Sequence, residues 1–118
     1  MADLVLFGIA NCDTVRRARR ELTAAGREYR FHDFRKDGLD AGQIDRWIES
    51  VGWETLLNRR GTTWRQLPAE TRDGIDATRA RSLMLEQPTL IRRPVIEGAG
   101  EILVGWDADR AALLASRG

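Results

Sequence analysis

The sequence predicts an α/β fold: a small mixed β-sheet built from a βαβ unit and a ββα unit, with a helical insert between the halves. Three observations predict it. The chain opens on a continuous apolar run, Leu4-Val5-Leu6-Phe7, and then places apolar residues at helical spacing. It closes on two short apolar runs around Gly98-Ala99-Gly100, followed by a second helical pattern. Between them, over about residues 39–87, the periodicity is helical throughout.

Each element has its own signal. The run ending at Gly8 suits a strand buried on both faces. After Ile9-Ala10-Asn11-Cys12-Asp13, Val15, Ala18, Leu22 and Ala25 mark the inner face of a helix that Gly26 stops. Residues 28–34 alternate and carry aromatics, a second strand, and Lys36-Asp37-Gly38 makes a turn. Asp40 caps the next helix, with Gln43 in the capping-box position and Ile44, Trp47, Ile48 and Val51 facing inward as far as Gly52. Residues 53–57 read as a short helical turn, and residues 58–65 as a polar segment. A helical pattern over residues 70–86 is broken by Gly74. Val95-Ile96-Glu97 and Ile102-Leu103-Val104-Gly105 flank a hairpin turn at residues 98–100, and Asp107 caps a last helix that runs to Ser116. The order β-α-β, helices, β-β-α is the layout of the thioredoxin fold, a mixed sheet with helices on both faces.

The bulk numbers narrow the function. The length, 118 residues, suits one domain over residues 1–118. Hydrophobic residues at 42% and charged residues at 31% are those of a soluble globular chain. A net charge of +1 gives no global field for nucleic acid or an anionic membrane, so anion recognition must be local. One cysteine excludes an internal disulfide and hence a stapled secreted scaffold. The opening MADLVLFGIA has no basic leader, and no apolar run approaches the roughly 20 residues that span a bilayer. A cytoplasmic protein, a monomer with neither nucleic-acid nor membrane partners, is expected.

Cys12 falls between the first strand and the first helix, where unpaired amides and the helix dipole favour a thiolate. A lone cysteine is ordinarily an inert core residue; its position here argues for a nucleophile. The motif reads Cys12-Asp13-Thr14-Val15, so the second cysteine of a C-x-x-C pair is missing. An adduct on Cys12 needs a second thiol from solution, and glutathione or a redox protein is the natural supply. Pro94 opens a strand expected to face Cys12, and Arg93 beside it is placed to hold a thiolate or an anionic substrate. Arg59 and Arg60 form the other local cationic pair. His32, the only histidine, reads as structural, and no ligand spacing points to a metal or a bound cofactor.

Three stretches resemble the arsenate reductase and Spx family of thioredoxin-like proteins, closest to its YffB branch of glutathione-dependent thiol reductases. They are Gly8-Ile9-Ala10-Asn11-Cys12-Asp13-Thr14, Asn58-Arg59-Arg60-Gly61-Thr62-Thr63-Trp64-Arg65 and Arg93-Pro94. The resemblance implies that Cys12 is the nucleophile, that Arg60 and Arg93 contact an anion, and that Pro94 is cis. A one-residue shift of register would pass the first arginine's role to Arg59. The expected function is a monothiol, glutathione-dependent thiol/disulfide reductase, with glutathione as co-substrate, an oxidised or glutathionylated protein as substrate, and glutaredoxin as a redox partner. Arsenate reduction coupled to glutathione and glutaredoxin is the alternative, and an Spx-like regulator of RNA polymerase the rival from another class. Three departures bear on these alternatives. Gly8 stands where the arsenate reductases have a histidine, Gly105-Trp106 where they have a third arginine, and Val15 where Spx regulators often have a second cysteine.

Overall fold

The computed structural model describes residues 4–116. It divides into two compact units, one formed by the chain up to Gly38 and from Arg93 onward, the other by Leu39–Arg92.

The first unit holds the sheet. Strand β1 is Val5–Gly8, helix α1 is Asp13–Ala24 and strand β2 is Arg30–Asp33. Strand β3 (Val95–Ala99), strand β4 (Glu101–Val104) and the last helix (Ala108–Ser116) complete it. The strand order is β2-β1-β3-β4, with β1 parallel to β2 and both other pairs antiparallel. This is the predicted thioredoxin layout. Leu4 and Leu6 of the β1 segment, Ile96 of β3 and Leu103 of β4 form one core with Val15, Ala18 and Leu22 of α1 and Leu114 of the last helix. Both helices of this unit therefore cover the same sheet face, where the sequence predicts helices on both, because the apolar stripes of α1 and the last helix meet the same alternate strand residues. Burial of each such side chain stabilises the fold by roughly 1.5–3 kcal/mol.

Local chemistry sets the boundaries. Helix α1 ends as predicted because Gly26 takes a φ of 71°, and its tail closes with bonds from Gly26 N to Thr23 O and Arg27 N to Leu22 O. Strand β2 is shorter than residues 28–34. Its partner β1 offers four residues, and beyond them only Arg30 N to Leu4 O and Phe34 N to Gly8 O continue the ladder. The expected turn at residues 98–100 is narrower too, since β3 runs on to Ala99 with a shift of register between Ile96 and Ala99. Gly98, at φ 97°, absorbs the extra residue inside the strand as a bulge.

The second unit is helical: α2 (Ala41–Val51), α3 (Trp53–Leu56), α4 (Thr62–Arg65), α5 (Ala69–Asp73), α6 (Ala77–Glu86) and a 3₁₀ turn at Pro88–Leu90. With these in place the last helix, Ala108–Ser116, is α7. The capping box at Asp40 and Gln43 forms as the sequence predicts. Ile44, Trp47, Leu56, Ala80, Met84 and Leu90 are fully buried. The polar segment 58–65 is more ordered than expected. Gly61 opens α4, Trp64 is buried, and the Arg65 guanidinium donates to Arg60 O at 3.1 Å. Among the described residues, no helix is long and apolar enough to cross a membrane.

Candidate active site

Register brings the chemistry of the first unit together. Phe7 pairs with Val95 across the antiparallel β1–β3 ladder, so Pro94 lies level with Gly8 and Arg93 with the start of the following loop. That loop is closed by a bond from Cys12 N to Ile9 O at 3.1 Å. The Arg93-Pro94 bond is cis, as expected, and Pro94 O accepts from Gly105 N at 2.8 Å.

Cys12 is the N-cap of α1. Its backbone is extended (φ −91°, ψ 128°), and its carbonyl takes the first helical bond, from Arg16 N, at 2.9 Å. The next amides have no carbonyl one turn back, and those of Val15 and Thr14 favour the charged form of the sulfur. Cys12 is half-buried. Burial alone would push the thiol up. The Val15 amide, the hydrogen bond and charge of Arg93, and the Thr14 amide together outweigh it and hold Cys12 below the ordinary thiol range. The arrangement favours a thiolate on a partly exposed residue, which suits a sulfur nucleophile.

Of the residues singled out by sequence, Cys12, Arg93 and Pro94 are brought together. Arg60 belongs to the second unit, where its amide donates to Asn58 Oδ1 at 3.1 Å and its carbonyl accepts from Arg65. Its neighbour Arg59 has its guanidinium carbon 5.2 Å from the Trp53 ring and 5.8 Å from the Trp64 ring, a cation–π clamp. His32 is structural: its Nε2 donates to Gly38 O at 2.7 Å, and its ring lies 4.8 Å from that of Phe7.

Two features escaped sequence reasoning. Trp106, two residues after β4, packs against the core that α1 covers. Its indole N–H donates to Glu21 Oε1 at 3.2 Å, and Arg17 Nε donates to Glu21 Oε2 at 2.7 Å. Those bonds, Arg17's first, hold the Glu21 carboxyl below its usual range. Gly8 is the second: a Cβ built there would stand 2.7 Å from Val15 Cγ2. The sequence carried a signal for this contact only in the pairing of a glycine with a β-branched residue seven positions on.

The chain matches the ArsC family over residues 7–113. A solved structure of a YffB protein is 42% identical, with 95% of this chain and 98% of that chain covered and a TM-score of 0.88. The solution structure of an arsenate reductase (ArsC) related protein from Brucella melitensis is 47% identical, covering 93% and 91% of the two chains with a TM-score of 0.80. A Haemophilus influenzae protein described as uncharacterized is 40% identical over 104 residues, 88% of this chain and 91% of that one.

Proposed function

The chain belongs to the ArsC family and is an oxidoreductase-type enzyme, and we propose that it is a monothiol thiol/disulfide reductase that uses glutathione. The observation that carries this reading is Cys12 itself, a thiolate stabilised by two amides and Arg93 in a chain with one cysteine. In the first step the Cys12 thiolate attacks the glutathione sulfur of a glutathionylated substrate. The Cys12–glutathione disulfide forms, the substrate–glutathione disulfide breaks, and the substrate leaves as a thiolate. In the second step a glutathione thiolate attacks that adduct, releasing glutathione disulfide and restoring the Cys12 thiolate. The substrate disulfide is reduced and two glutathione sulfurs are joined, so electrons balance. No internal thiol competes for the adduct, which supports an external reductant. Arg93 suits a carboxylate of glutathione as well as the thiolate, and Arg60 is assigned the same kind of contact by its motif.

A second reading, reduction of arsenate with glutathione and glutaredoxin, is favoured by the name of the Brucella melitensis relative at 47% identity. Arsenate needs dense positive charge around the developing adduct. By the resemblance, Gly105-Trp106 stands where a third arginine would be, and the Trp106 indole donates to Glu21. Losing one charge-assisted contact costs about 1.5–3 kcal/mol, or roughly one to two orders of magnitude in rate. Turnover of a small glutathionyl disulfide should therefore exceed turnover of arsenate with glutathione and glutaredoxin, Cys12→Ser serving as the blank. Cys12-dependent arsenate turnover that exceeds disulfide turnover would reverse the ranking.

A further inference from the structure

We propose that Gly8 is a positioning residue for Cys12: the lack of a side chain there lets Val15 seat against β1, and that seat sets the opening amides of α1 on the Cys12 sulfur. The inference rests on Cys12 as the nucleophile and on nothing about its substrate.

Gly8 is the last residue of β1 and is buried, held in the ladder opposite Asp33. Val15 sits in the first turn of α1 with no exposed surface. A Cβ on residue 8 would lie 2.7 Å from Val15 Cγ2, 3.4 Å from Cγ1 and 3.6 Å from Val15 Cβ. The first distance is far inside contact, and the other two show that the whole isopropyl fork faces the glycine. Valine in a helix has one strongly preferred rotamer, so the fork cannot swing clear. Nor can it retreat through the core, which is packed there by Leu4, Leu6, Ala18 and Ile96. A methyl on residue 8 must therefore lift the start of α1 away from β1.

The amide of Val15 is one of those that favour the charged sulfur. Cys12 cannot follow the helix freely in such a movement: its carbonyl goes with Arg16 N at 2.9 Å, but its own amide is tied to Ile9 O at 3.1 Å in the loop that leaves β1. Lifting α1 thus turns Cys12 between two anchors and shifts its sulfur against the opening amides, while Arg93, two residues before β3, stays with the sheet. The close approach of strand to helix and the stabilisation of the thiolate are one geometric feature.

The test reads the thiol without any substrate. Wild type and variants are alkylated with iodoacetamide across pH, and the midpoint of the rate profile is compared beside the thermal unfolding midpoint. Gly8→Ala is expected to raise the alkylation midpoint by about 0.5–1 pH unit, the size expected when one amide bond to a charged sulfur is weakened. Adding Val15→Ala removes the γ-carbons but keeps the amide. The double variant should return most of the way to the midpoint of Val15→Ala alone. If Gly8→Ala does not fold, Val15→Ile presses on the same contact from the helix side and should raise the midpoint by a smaller amount. A folded Gly8→Ala with an unmoved midpoint overturns the proposal, as does an unmoved Val15→Ile standing in for it. So does a double variant that keeps the full shift of Gly8→Ala. A protein that reduces no disulfide still gives this profile, so failure of the proposed reaction and failure of the positioning role are told apart.

Discussion

Arg93 reaches the Cys12 sulfur because one ladder register, Phe7 opposite Val95, fixes where β3 begins. Its guanidinium acts on the thiol twice, as a hydrogen-bond donor and as a charge. Arg93→Ala is expected to raise the alkylation midpoint of Cys12 by about one pH unit, since a hydrogen bond to a charged group is worth about 1.5–3 kcal/mol. At neutral pH the rate should fall, and at alkaline pH the two proteins should converge. A midpoint that stays in place would remove Arg93 from the site. The shift is also a stability statement. A thiol held low in the folded state contributes stability that is fully present above the unfolded thiol's pKa and is lost as pH falls through the folded value. Residue by residue, the place of Cys12 at the start of α1 and of Arg93 beside it was legible in the residues, and the cis bond at Pro94 only through the resemblance. Gly8 and Trp106 were not. Gly8 acts through what it leaves room for, and Trp106 through Glu21 on α1, a contact formed only in the folded chain.

The helices and strands were legible in type and less so in extent. Helix α2 shows the stronger case. Asp40 Oδ1 accepts from Gln43 N at 2.8 Å, and Gln43 Oε1 accepts from Asp40 N at 3.0 Å, the reciprocal pair that the spacing predicted. Asp40→Ala removes the first bond and should cost about 1 kcal/mol, with Asp40→Asn restoring most of it. Urea unfolding measures both, and equal midpoints for Asp40→Ala and wild type would show that the cap contributes nothing. Strand β2 shows the weaker case. Its own sequence favours more residues than β1 can pair, and strand length is a property of the pair. Helix α4 was missed for a related reason. Thr62–Arg65 is too short for periodicity to register, and its order comes from the burial of Trp64 and from Arg65 capping Arg60 O.

For the whole chain, element order alone led to the mixed sheet, because a βαβ unit and a ββα hairpin can join one sheet in few ways. The register was beyond reach of the sequence, since it depends on which apolar faces meet, and register is what gathers Arg93, Pro94 and Cys12. Family membership supplies the class of chemistry. The single cysteine supplies the requirement for a second thiol from outside. Intact-mass spectrometry of the purified protein tests this most directly, first after oxidised glutathione and then after reduced glutathione. One glutathionyl group should appear, on Cys12, and the reduced tripeptide should remove it. A protein that takes up no glutathione, or whose adduct reduced glutathione leaves in place, would contradict a monothiol reductase working through Cys12.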